Sequence, residues 1–412
     1  MNLAWLSLGA LVAALVTSCL SRLNVGVLAI SLAWLVGAYW GGMPVKQLAA
    51  GFPSELFLTL AGVTLFFSQA QTNGTLDQLV VRGVRLCRGR IALLPVMFFL
   101  LAALVASAGP GNIATAALLA PPAMAAASRS RIPPFLMAIM VGNGANSGAL
   151  SPLAPTGIIV NGIMDRIGLP GAQLDTWTAN LLAHASVALA GYAAFGGLKL
   201  ARHGKAGFQE DSPPAPLTKG QWITLILMAA LLAAVLFARA NIGMAAFTAA
   251  AILSFAGAAS EREAIQAMPW NTLLMVSGVT VLIALLEKTQ GIDLFANLLA
   301  KISTRESVTA VVAFVTGLVS AYSSTSGVVL PAFLPTVPAL ADQLGGGRAY
   351  AIAGAMNVGG HLVDVSPLST IGALCVASVA SQEESRKLFH QLLAWGLSMT
   401  AIGAIFCYLY FR

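Results

Sequence analysis

The 412-residue sequence predicts an all-α polytopic membrane protein made of two inverted repeats, each with five transmembrane helices and one re-entrant hairpin. The first observation is composition: 58% of the residues are hydrophobic, only 9% are charged, and the mean hydropathy is +0.84. The second is a series of apolar stretches near the spanning length of about 20 residues. The third is a set of short motifs that recur at a nearly constant offset. Because so few charges cannot cover a soluble surface, lipid is the predicted solvent.

Composition also excludes several classes of protein. The net charge is +7, but the bases are scattered instead of forming a stripe, so we expect no nucleic-acid partner. The four cysteines lie far apart with no CxxC pair, which argues against a metal site and a disulfide framework. Neither GxSxG nor HExxH occurs, so we predict that the protein is not an enzyme. The chain enters an apolar run without a basic n-region, and this favours a first spanning helix over a cleaved signal.

Ten apolar stretches are predicted to cross the membrane: 3–20, 24–42, 55–71, 134–162, 178–199, 220–238, 242–258, 271–287, 349–380 and 388–411. Two further apolar regions, 91–128 and 307–342, are each interrupted in the middle by small polar residues. Each arm is about 16 residues, which is too short to cross at a rise of about 1.5 Å per residue. We predict that both regions are re-entrant hairpins with tips near mid-membrane.

Matching motifs divide the chain into two halves. Asn241-Ile242-Gly243 follows Asn24-Val25-Gly26 by 217 positions, and Ser320-Ala321 follows Ser107-Ala108 by 213. Three more pairs have offsets between these values: Phe52-Pro53 with Met268-Pro269, Gly62-Val63-Thr64 with Gly278-Val279-Thr280, and Ser151-Pro152-Leu153 with Ser366-Pro367-Leu368. An odd number of crossings inverts the second copy. The predicted units are a first repeat (1–200, with hairpin 91–128 and broken helix 134–162), a cytoplasmic linker (201–219), and a second repeat (220–412, with hairpin 307–342 and broken helix 349–380).

The distribution of basic residues predicts the orientation. Fourteen bases fall on one face and eight on the other, so the first face is predicted to be cytoplasmic. The protein is predicted to lie in the inner membrane of a bacterium, with both termini on the outer, non-cytoplasmic side. Arg82, Arg85 and Arg88, spaced by three, predict an amphipathic helix on the inner surface.

Two predicted crossings contain glycine, proline and polar residues at matching positions, 142–157 and 357–372. Proline removes an amide donor and glycine weakens the helix, so both crossings should unwind near Ser151-Pro152 and Ser366-Pro367. Discontinuous helices at corresponding positions of two repeats indicate a transporter's binding site. The helix N-termini at such breaks favour an anion, and free carbonyls with Asn and Ser oxygens suit a hard cation such as Na+.

The hairpin tips and the two breaks supply the candidate residues. The predicted substrate-binding residues are Gly111, Asn112, Thr115, Asn146, Ser147, Ser151, Ser324, Thr325, Ser326, Ser366, Ser369 and Thr370. The predicted coupling-ion residues are Ser107, Asn112, Asn143, Thr325, Asn357, His361 and Asp364. The alternative for any single candidate is a serine or threonine that bonds back to its own helix, or a small residue that eases helix packing. No lysine or arginine falls in the tips or breaks, so the charge of a multivalent anion must be offset by helix dipoles and co-transported cations, which indicates symport. We expect no cofactor apart from the coupling ion, Na+ or H+.

His361 and Asp364 are three residues apart and therefore on one helical face. Ionisable groups at membrane depth are costly and usually functional, so this pair is predicted to bind the coupling cation, to relay a proton, or to give the second half a binding preference that the first half lacks. The alternative is a mutually satisfied pair that secures the helix break.

The hairpin tips carry a family resemblance. Gly111-Asn112-Ile113-Ala114-Thr115, ending at Pro121, and Ser324-Thr325-Ser326, ending at Pro331, resemble the Ser-Asn-Thr motifs of the ion transporter superfamily. The sequence is most similar to dicarboxylate carriers of the malonate-carrier type, relatives of the divalent anion–sodium symporters. The resemblance implies a homodimer with a scaffold domain from the early helices of each repeat. The hairpins and broken helices would form a mobile transport domain that moves like an elevator.

The predicted function is therefore cation-coupled symport of a C3 or C4 dicarboxylate of the malonate and succinate class. The partners would be this small anion, the lipid bilayer and a second copy of the chain. The alternative is a proton-coupled carrier of another organic or inorganic anion, with His361 and Asp364 as the proton site. A channel would need a continuous polar pathway, whereas paired opposing hairpins suit alternating access.

Overall fold

A computed structural model describes residues 2–21, 23–84, 90–200, 215–238, 240–379 and 381–412. The described part of the chain is all-helical and contains no β-strand. The helices of the first half are α1 (Leu3–Leu20), α2 (Val25–Trp34), α3 (Val45–Ala49), α4 (Ser54–Thr72), α5 (Thr75–Val84), α6 (Leu93–Ala108), α7 (Gly111–Arg129), α8 (Pro134–Gly148), α9 (Pro155–Arg166), α10 (Gln173–Ala194) and α11 (Gly197–Leu200). A π-helical segment, Leu35–Trp40, extends α2.

The helices of the second half are α12 (Lys219–Ala238), α13 (Ile242–Phe255), α14 (Glu261–Ala267), α15 (Trp270–Lys288), α16 (Gly291–Lys301), α17 (Val308–Ser320), α18 (Leu330–Phe333), α19 (Val337–Gln343), α20 (Ala349–Leu362), α21 (Thr370–Ala377) and α22 (Gln382–Tyr410). A π-helical turn, Thr325–Val329, precedes α18, and 3-10 turns occupy Leu334–Thr336 and Val363–Val365. Residues 201–214, which are most of the predicted cytoplasmic linker (201–219), lie outside the described residues. Arg85 and Arg88 of the predicted surface helix also lie outside them.

Three helical segments among the described residues are long and apolar enough to cross a membrane: Trp270–Lys288, Ala349–Ala377 and Gln382–Tyr410. The bent pair Val308–Ser320 and Thr325–Gln343 makes a fourth if it is counted as one span. Several shorter apolar helices of 10–17 residues accompany them. The all-helical, apolar architecture agrees with a polytopic membrane protein, while the number of ten crossings stays a prediction.

Hydropathy did not predict the short helix α14 or the polar first turns of the long helix α22. Helix α14 begins after Ser260, whose hydroxyl accepts a hydrogen bond from the Glu263 amide at 3.4 Å. Helix α22 begins at Gln382, six residues before the predicted start, because Ser381 caps it and Glu383 and Glu384 occupy its first turn. These polar first turns do not contribute to hydropathy, so only helix-capping signals could have indicated them.

The two predicted hairpins differ in regularity. Helices α6 and α7 pack against each other and are joined at Gly109-Pro110. Gly109 has φ +139°, and a Cβ there would lie 1.9 Å from the Phe67 ring, so the turn requires glycine. The second hairpin bends by 119° after α17. Its second arm is not one helix, because Pro331, Pro335 and Pro338 divide it into short segments.

Both predicted helix breaks are present and have the same local structure. The chain leaves the helix between α8 and α9 around Ser151, and between α20 and α21 around Ser366. Each serine hydroxyl accepts a hydrogen bond at 3.3 Å from the amide two residues later. Gly157 and Gly372, 215 positions apart, lie so close to these turns that a Cβ would meet the Ser151 carbonyl oxygen at 1.9 Å and the Ser366 oxygen at 2.1 Å.

The motif pairs also mark where the halves cross. Helix α2 packs against α15 at Gly26 and Gly278, and α13 packs against α4 at Gly243 and Gly62. A Cβ on Gly278 would lie 2.1 Å from the Gly26 carbonyl oxygen, and one on Gly62 would lie 2.3 Å from that of Gly243. Each motif of one half therefore makes the same kind of close backbone contact with the other half, which agrees with a duplication. The inversion of the second copy remains a prediction.

We expect Gly278→Ala to destabilise the protein by about 1–3 kcal/mol, because the new methyl group forces α2 and α15 apart. Thermal unfolding of the purified protein in detergent measures this effect. Gly9→Ala is the matched control, since Gly9 is also helical and a Cβ there meets nothing within 4 Å. Equal melting temperatures for the two variants would contradict the close crossing.

Candidate functional site

The candidate site is a cavity of about 270 Å³ where both hairpin tips meet the second helix break and the starts of α2 and α15. Its polar lining comes mainly from the second half of the chain, with Asn112 from the first hairpin. The lining residues are Ser21, Leu23, Asn24, Val25, Asn112, Ile113, Asn271, Met275, Tyr322, Ser323, Ser324, Thr325, Ser326, Asp364, Leu368, Ser369, Thr370 and Ile371.

Five helical segments begin at this cavity. Val25, Asn112, Asn271, Thr325 and Thr370 lie in the first turns of α2, α7, α15, the π-helical turn and α21, and all five residues line the cavity. No side chain caps the starts of α7 or α15. Free amides and the positive ends of the helix dipoles are therefore gathered around one space.

Hydroxyl groups hold the turns that shape the cavity. The Ser324 hydroxyl accepts from the Gly327 amide at 3.2 Å and caps the π-helical turn. The Ser369 hydroxyl donates to the Ser366 carbonyl at 2.8 Å and also to the Asp364 carbonyl. Elsewhere in the lining, the side-chain nitrogen of Asn24 donates to the backbone carbonyl and to the side-chain oxygen of Asn271, both at 3.0 Å.

Asp364 is the one acidic side chain among the described lining residues, none of which is lysine or arginine. Its Oδ1 accepts a hydrogen bond from the Thr325 hydroxyl at 2.7 Å, which ties the second hairpin to the second break. The same hydroxyl lies 3.4 Å from the Gly360 carbonyl oxygen. A carboxylate, a hydroxyl and a carbonyl oxygen are thus close together, which is the donor set that a hard cation prefers.

The structure brings only part of the predicted set to the cavity. The predicted residues that line it are Asn112, Ser324, Thr325, Ser326, Asp364, Ser369 and Thr370. The predicted residues that do not line it are Ser107, Gly111, Thr115, Asn143, Asn146, Ser147, Ser151, Asn357, His361 and Ser366.

Some of the predicted residues that do not line the cavity are hydrogen-bonded to the tip of the first hairpin. Asn112 donates to the Asn146 side-chain oxygen at 2.8 Å, and the Ser151 hydroxyl donates to the Ser107 carbonyl at 2.7 Å. The first break therefore holds the hairpin tip in place instead of facing the cavity. Ser147 bonds back to its own helix at the Gly144 carbonyl, 2.7 Å away, as the alternative interpretation of a hydroxyl predicts.

His361 and Asp364 do not form the pair that their spacing suggested. His361 Nδ1 is bonded to the Asn357 carbonyl at 2.9 Å, and its Nε2 has no hydrogen-bond partner. Asp364 instead contacts Thr325 and the cavity. The alternative of a mutually satisfied pair is therefore wrong. The helix ends at Leu362, so the 3-10 turn that follows rotates Asp364 away from the helical register.

Sequence reasoning missed two buried polar residues in the predicted crossing 178–199. Asn180 and His184 on α10 are both 0% exposed. Asn180 donates to the Asn146 carbonyl at 2.7 Å, and His184 Nδ1 lies 2.8 Å from Asn143 Oδ1. A histidine within an apolar crossing, one turn from an asparagine, was the signal that could have found them.

A second cavity of about 690 Å³ lies among the start of α4, helix α9 and the end of α15. Its lining includes Glu55, Asp165, Arg166, Glu287 and Lys288. None of the predicted site residues lines it. The smaller cavity is therefore the candidate site, because it combines the hairpin tips with a helix break.

The first 149 residues of the chain are similar to a known family of carriers. Residues 1–149 match the family model described as the dicarboxylate carrier protein MatC N-terminus. The matched segment runs through the whole first hairpin and ends just beyond α8, so it includes Asn112 and Asn146. No curated protein shows a significant match to the chain. Over these 149 residues the family match confirms the resemblance seen in the sequence, that of a dicarboxylate carrier of the malonate-carrier type.

Proposed function

We propose that the protein is a secondary active transporter that couples the movement of a C3 or C4 dicarboxylate, of the malonate and succinate class, to a cation. The observation that carries the proposal is the cavity of about 270 Å³ on which five helical N-termini converge. The match of residues 1–149 to the dicarboxylate carrier family model supports this proposal, and a carrier family suggests a transporter instead of an enzyme.

The electrostatics of the cavity suit a dianion. The N-terminus of an α-helix carries roughly +0.5 of an elementary charge, so the four α-helical N-termini, those of α2, α7, α15 and α21, offset about two negative charges. This compensation needs no lysine or arginine. Small-molecule sites commonly measure about 300–1,000 Å³, so the cavity of about 270 Å³ is slightly smaller than this range and favours a ligand of a few carbon atoms.

Cation coupling is supported by the negative charge of Asp364, which the helix N-termini would not offset once a dianion is bound. A bound dianion would share the cavity with the Asp364 carboxylate, and like charges within one small cavity of low dielectric repel each other. A cation beside Asp364, Thr325 and the Gly360 carbonyl would offset this repulsion. Na+ is the first candidate, since these ligands are all oxygen atoms.

The mode of transport that we propose is alternating access. The hairpins α6–α7 and α17–α19, with the broken helices, would form a mobile unit, and the early helices of each half would form a scaffold. We further propose a homodimer in the inner membrane of a bacterium, with both termini outside. These proposals rest on the family resemblance and on the distribution of basic residues.

A proton-coupled carrier of another anion is the second candidate. Its support is the buried His361, whose Nε2 has no hydrogen-bond partner. Sodium-driven uptake without proton movement would exclude this candidate.

The substrate class is tested by exchange across proteoliposomes loaded with unlabelled malonate. We expect external labelled malonate to enter, and unlabelled malonate and succinate to compete with it. Acetate, with one carboxylate, and citrate, with three, should compete poorly. Equal competition by all four compounds, or no exchange at all, would contradict a dicarboxylate site.

Asn112→Asp should raise the KM for the dicarboxylate by at least about tenfold, because it places a second carboxylate in an anion site at low dielectric. The side chains have the same shape, but the change adds a negative charge and also removes the donor of the hydrogen bond to Asn146, which Asn112→Gln retains as an amide. Asn112→Gln and Asp175→Asn serve as controls, the second lying on α10 away from the cavity lining. Concentration-dependent exchange measures the KM, and an unchanged KM would remove Asn112 from the site.

A further inference from the structure

Two asparagines line the candidate cavity from helices that lie outside the hairpins and the helix breaks. Asn24 precedes α2 and caps it, and Asn271 lies in the first turn of α15. These two helices come from different halves of the chain and pack against each other at Gly26 and Gly278. The cavity therefore has a wall that belongs to neither hairpin, and the two asparagines supply the side-chain amides of this wall.

Hydrogen bonds fix the orientation of both amides. The Gly26 backbone N–H can only donate, so the Asn24 atom that accepts from it at 2.9 Å is Oδ1. Asn24 Nδ2 is then the atom that faces Asn271, where it donates to the backbone carbonyl and to the side chain, both at 3.0 Å. The side-chain atom of Asn271 that receives this bond must be an acceptor, which is Oδ1. Nδ2 is therefore the free end of the Asn271 side chain.

Asn271 Nδ2 keeps both of its hydrogens for a ligand. It makes no hydrogen bond to any residue in the described part of the chain, and Asn271 is exposed where it lines the cavity. Met275 lies one turn later on the same face of α15 and packs against the second hairpin, since a Cβ on Gly327 would overlap its sulfur. Asn271 is therefore on the side of α15 that faces the second hairpin.

The other half of the chain indicates that the crossing of the helices does not require this amide. Glu55 of α4 takes the place of Asn271, 216 positions earlier, which is the offset between Pro53 and Pro269. Helix α4 nevertheless packs against α13 through the same kind of close glycine contact as α15 makes with α2. An equally close crossing forms with a glutamate at the corresponding position. Helix packing alone therefore does not explain the asparagine, and its free nitrogen is available for a ligand.

We propose that Asn271 Nδ2 donates a hydrogen bond to a carboxylate of the substrate, and that Asn24 is the residue that positions it. This inference rests on the proposed function and deepens it by assigning a residue that determines specificity. Since none of the described lining residues is lysine or arginine, a fixed amide lets this wall bind an anion. Hydrogen bonds to charged acceptors are roughly twice as strong as those to neutral ones. Asn271 should therefore favour a second carboxylate over a neutral group in the same place.

Competition during malonate exchange tests the role of Asn271, with malonamate as the probe of specificity. Malonamate has the shape of malonate, but a neutral amide replaces one carboxylate. We expect Asn271→Ala to weaken malonate binding at least about tenfold, because a hydrogen bond to a charged group is lost, and to weaken malonamate binding less. The preference for malonate over malonamate should then fall at least about fivefold. Thr272→Ala, in the same turn but outside the cavity lining, is the matched control and should keep the preference.

Asn24→Ser tests the positioning of Asn271. Serine is also a good N-cap and can still accept from the Gly26 amide, but it has no nitrogen that can donate to Asn271. We expect a lower preference for malonate over malonamate, with a maximal exchange rate close to that of the unmodified protein. Asn241→Ser makes the same replacement at the cap of α13 and should leave the preference unchanged. Asn24→Ser gives a result even if Asn271→Ala does not fold, and an unchanged preference in either folded variant would overturn the proposal.

Thermal unfolding in detergent separates this inference from the proposed function, because it detects binding without transport. A ligand that binds the folded protein raises the Tm, so malonate should raise it more than malonamate does, and Asn271→Ala should lose this difference. Loss of the difference in the variant, without any exchange by the unmodified protein, would contradict transport while supporting the role of Asn271. Normal exchange with an unchanged difference in the variant would overturn the role of Asn271 alone.

Discussion

Asp364→Asn should abolish most concentrative uptake of the dicarboxylate. Asparagine keeps an oxygen that can accept from Thr325 at the observed 2.7 Å, but it removes the one carboxylate among the described lining residues. A cation held beside Asp364 would then lose its main charge partner. Each coupled positive charge contributes about 2.3 kcal/mol at a membrane potential of about 100 mV, so losing one lowers the accumulation ratio by about 50-fold.

The measurement is the steady-state ratio of internal to external labelled malonate in proteoliposomes with an imposed potential and sodium gradient. Asp342→Asn is the control, because Asp342 is an exposed aspartate of α19 that does not line the cavity. Malonate exchange at equal concentrations, which needs no net cation movement, should fall less than accumulation. If Asp364→Asn accumulates malonate as well as Asp342→Asn does, Asp364 has no part in coupling.

Gly157→Ala and Gly372→Ala should each reduce transport at least about 100-fold, because displacement of site groups by about 1 Å commonly has an effect of this size. A methyl group at either position meets a serine carbonyl oxygen, at 1.9 Å from Ser151 or 2.1 Å from Ser366. Since these are backbone atoms of the helix breaks, no side-chain rotation can relieve the contact. In the second half, Ser369 and Thr370 follow the displaced turn and line the cavity, so a shift of this turn also moves these two residues.

Uptake rates should be compared with those of Gly9→Ala, which introduces the same methyl group in open space. Protein yield and size-exclusion profiles separate loss of folding from loss of function. Gly372→Ala is expected to raise the KM, because it changes the cavity wall directly. Gly157→Ala should mainly lower the maximal rate, because the first break supports the hairpin from behind. Normal rates in both variants would contradict the prediction, because they would show that transport does not need the close glycine–serine contact at either break.

The sequence predicted the long helices and both breaks because these depend on local properties. Hydropathy locates α1, α4 and α15 within one or two residues, and the Ser-Pro pairs locate the breaks. The short helices α3, α14 and α16 were not predicted, since they are too short and too polar for a search based on spanning length. The divided second arm of the hairpin could have been inferred from its three prolines.

The candidate site was harder to predict because it depends on contacts between distant segments. Asn24 and Asn271 are hydrogen-bonded across 247 positions, and neither was a candidate although both line the cavity. Asn146 was expected to contact substrate, but its partner is Asn112. Polar residue types identify which segments matter, whereas their assignment to the cavity or to its support requires the packing of helices.

The two halves contribute unequally to the site. The second hairpin and second break supply most of its polar lining, while the first hairpin supplies Asn112. The first break and α10 form a buried polar cluster behind it. If the scaffold is a duplication, one copy now shapes the cavity and the other supports it.

The most direct test of the central claim is labelled malonate uptake by the purified protein in proteoliposomes, with sodium and proton gradients imposed separately. The proposed function predicts internal malonate above the external concentration under at least one of the two gradients, and collapse of this accumulation when an ionophore dissipates that gradient. Malonate that never exceeds the external concentration under either gradient, or that is chemically converted by the protein, would contradict cation-coupled dicarboxylate transport.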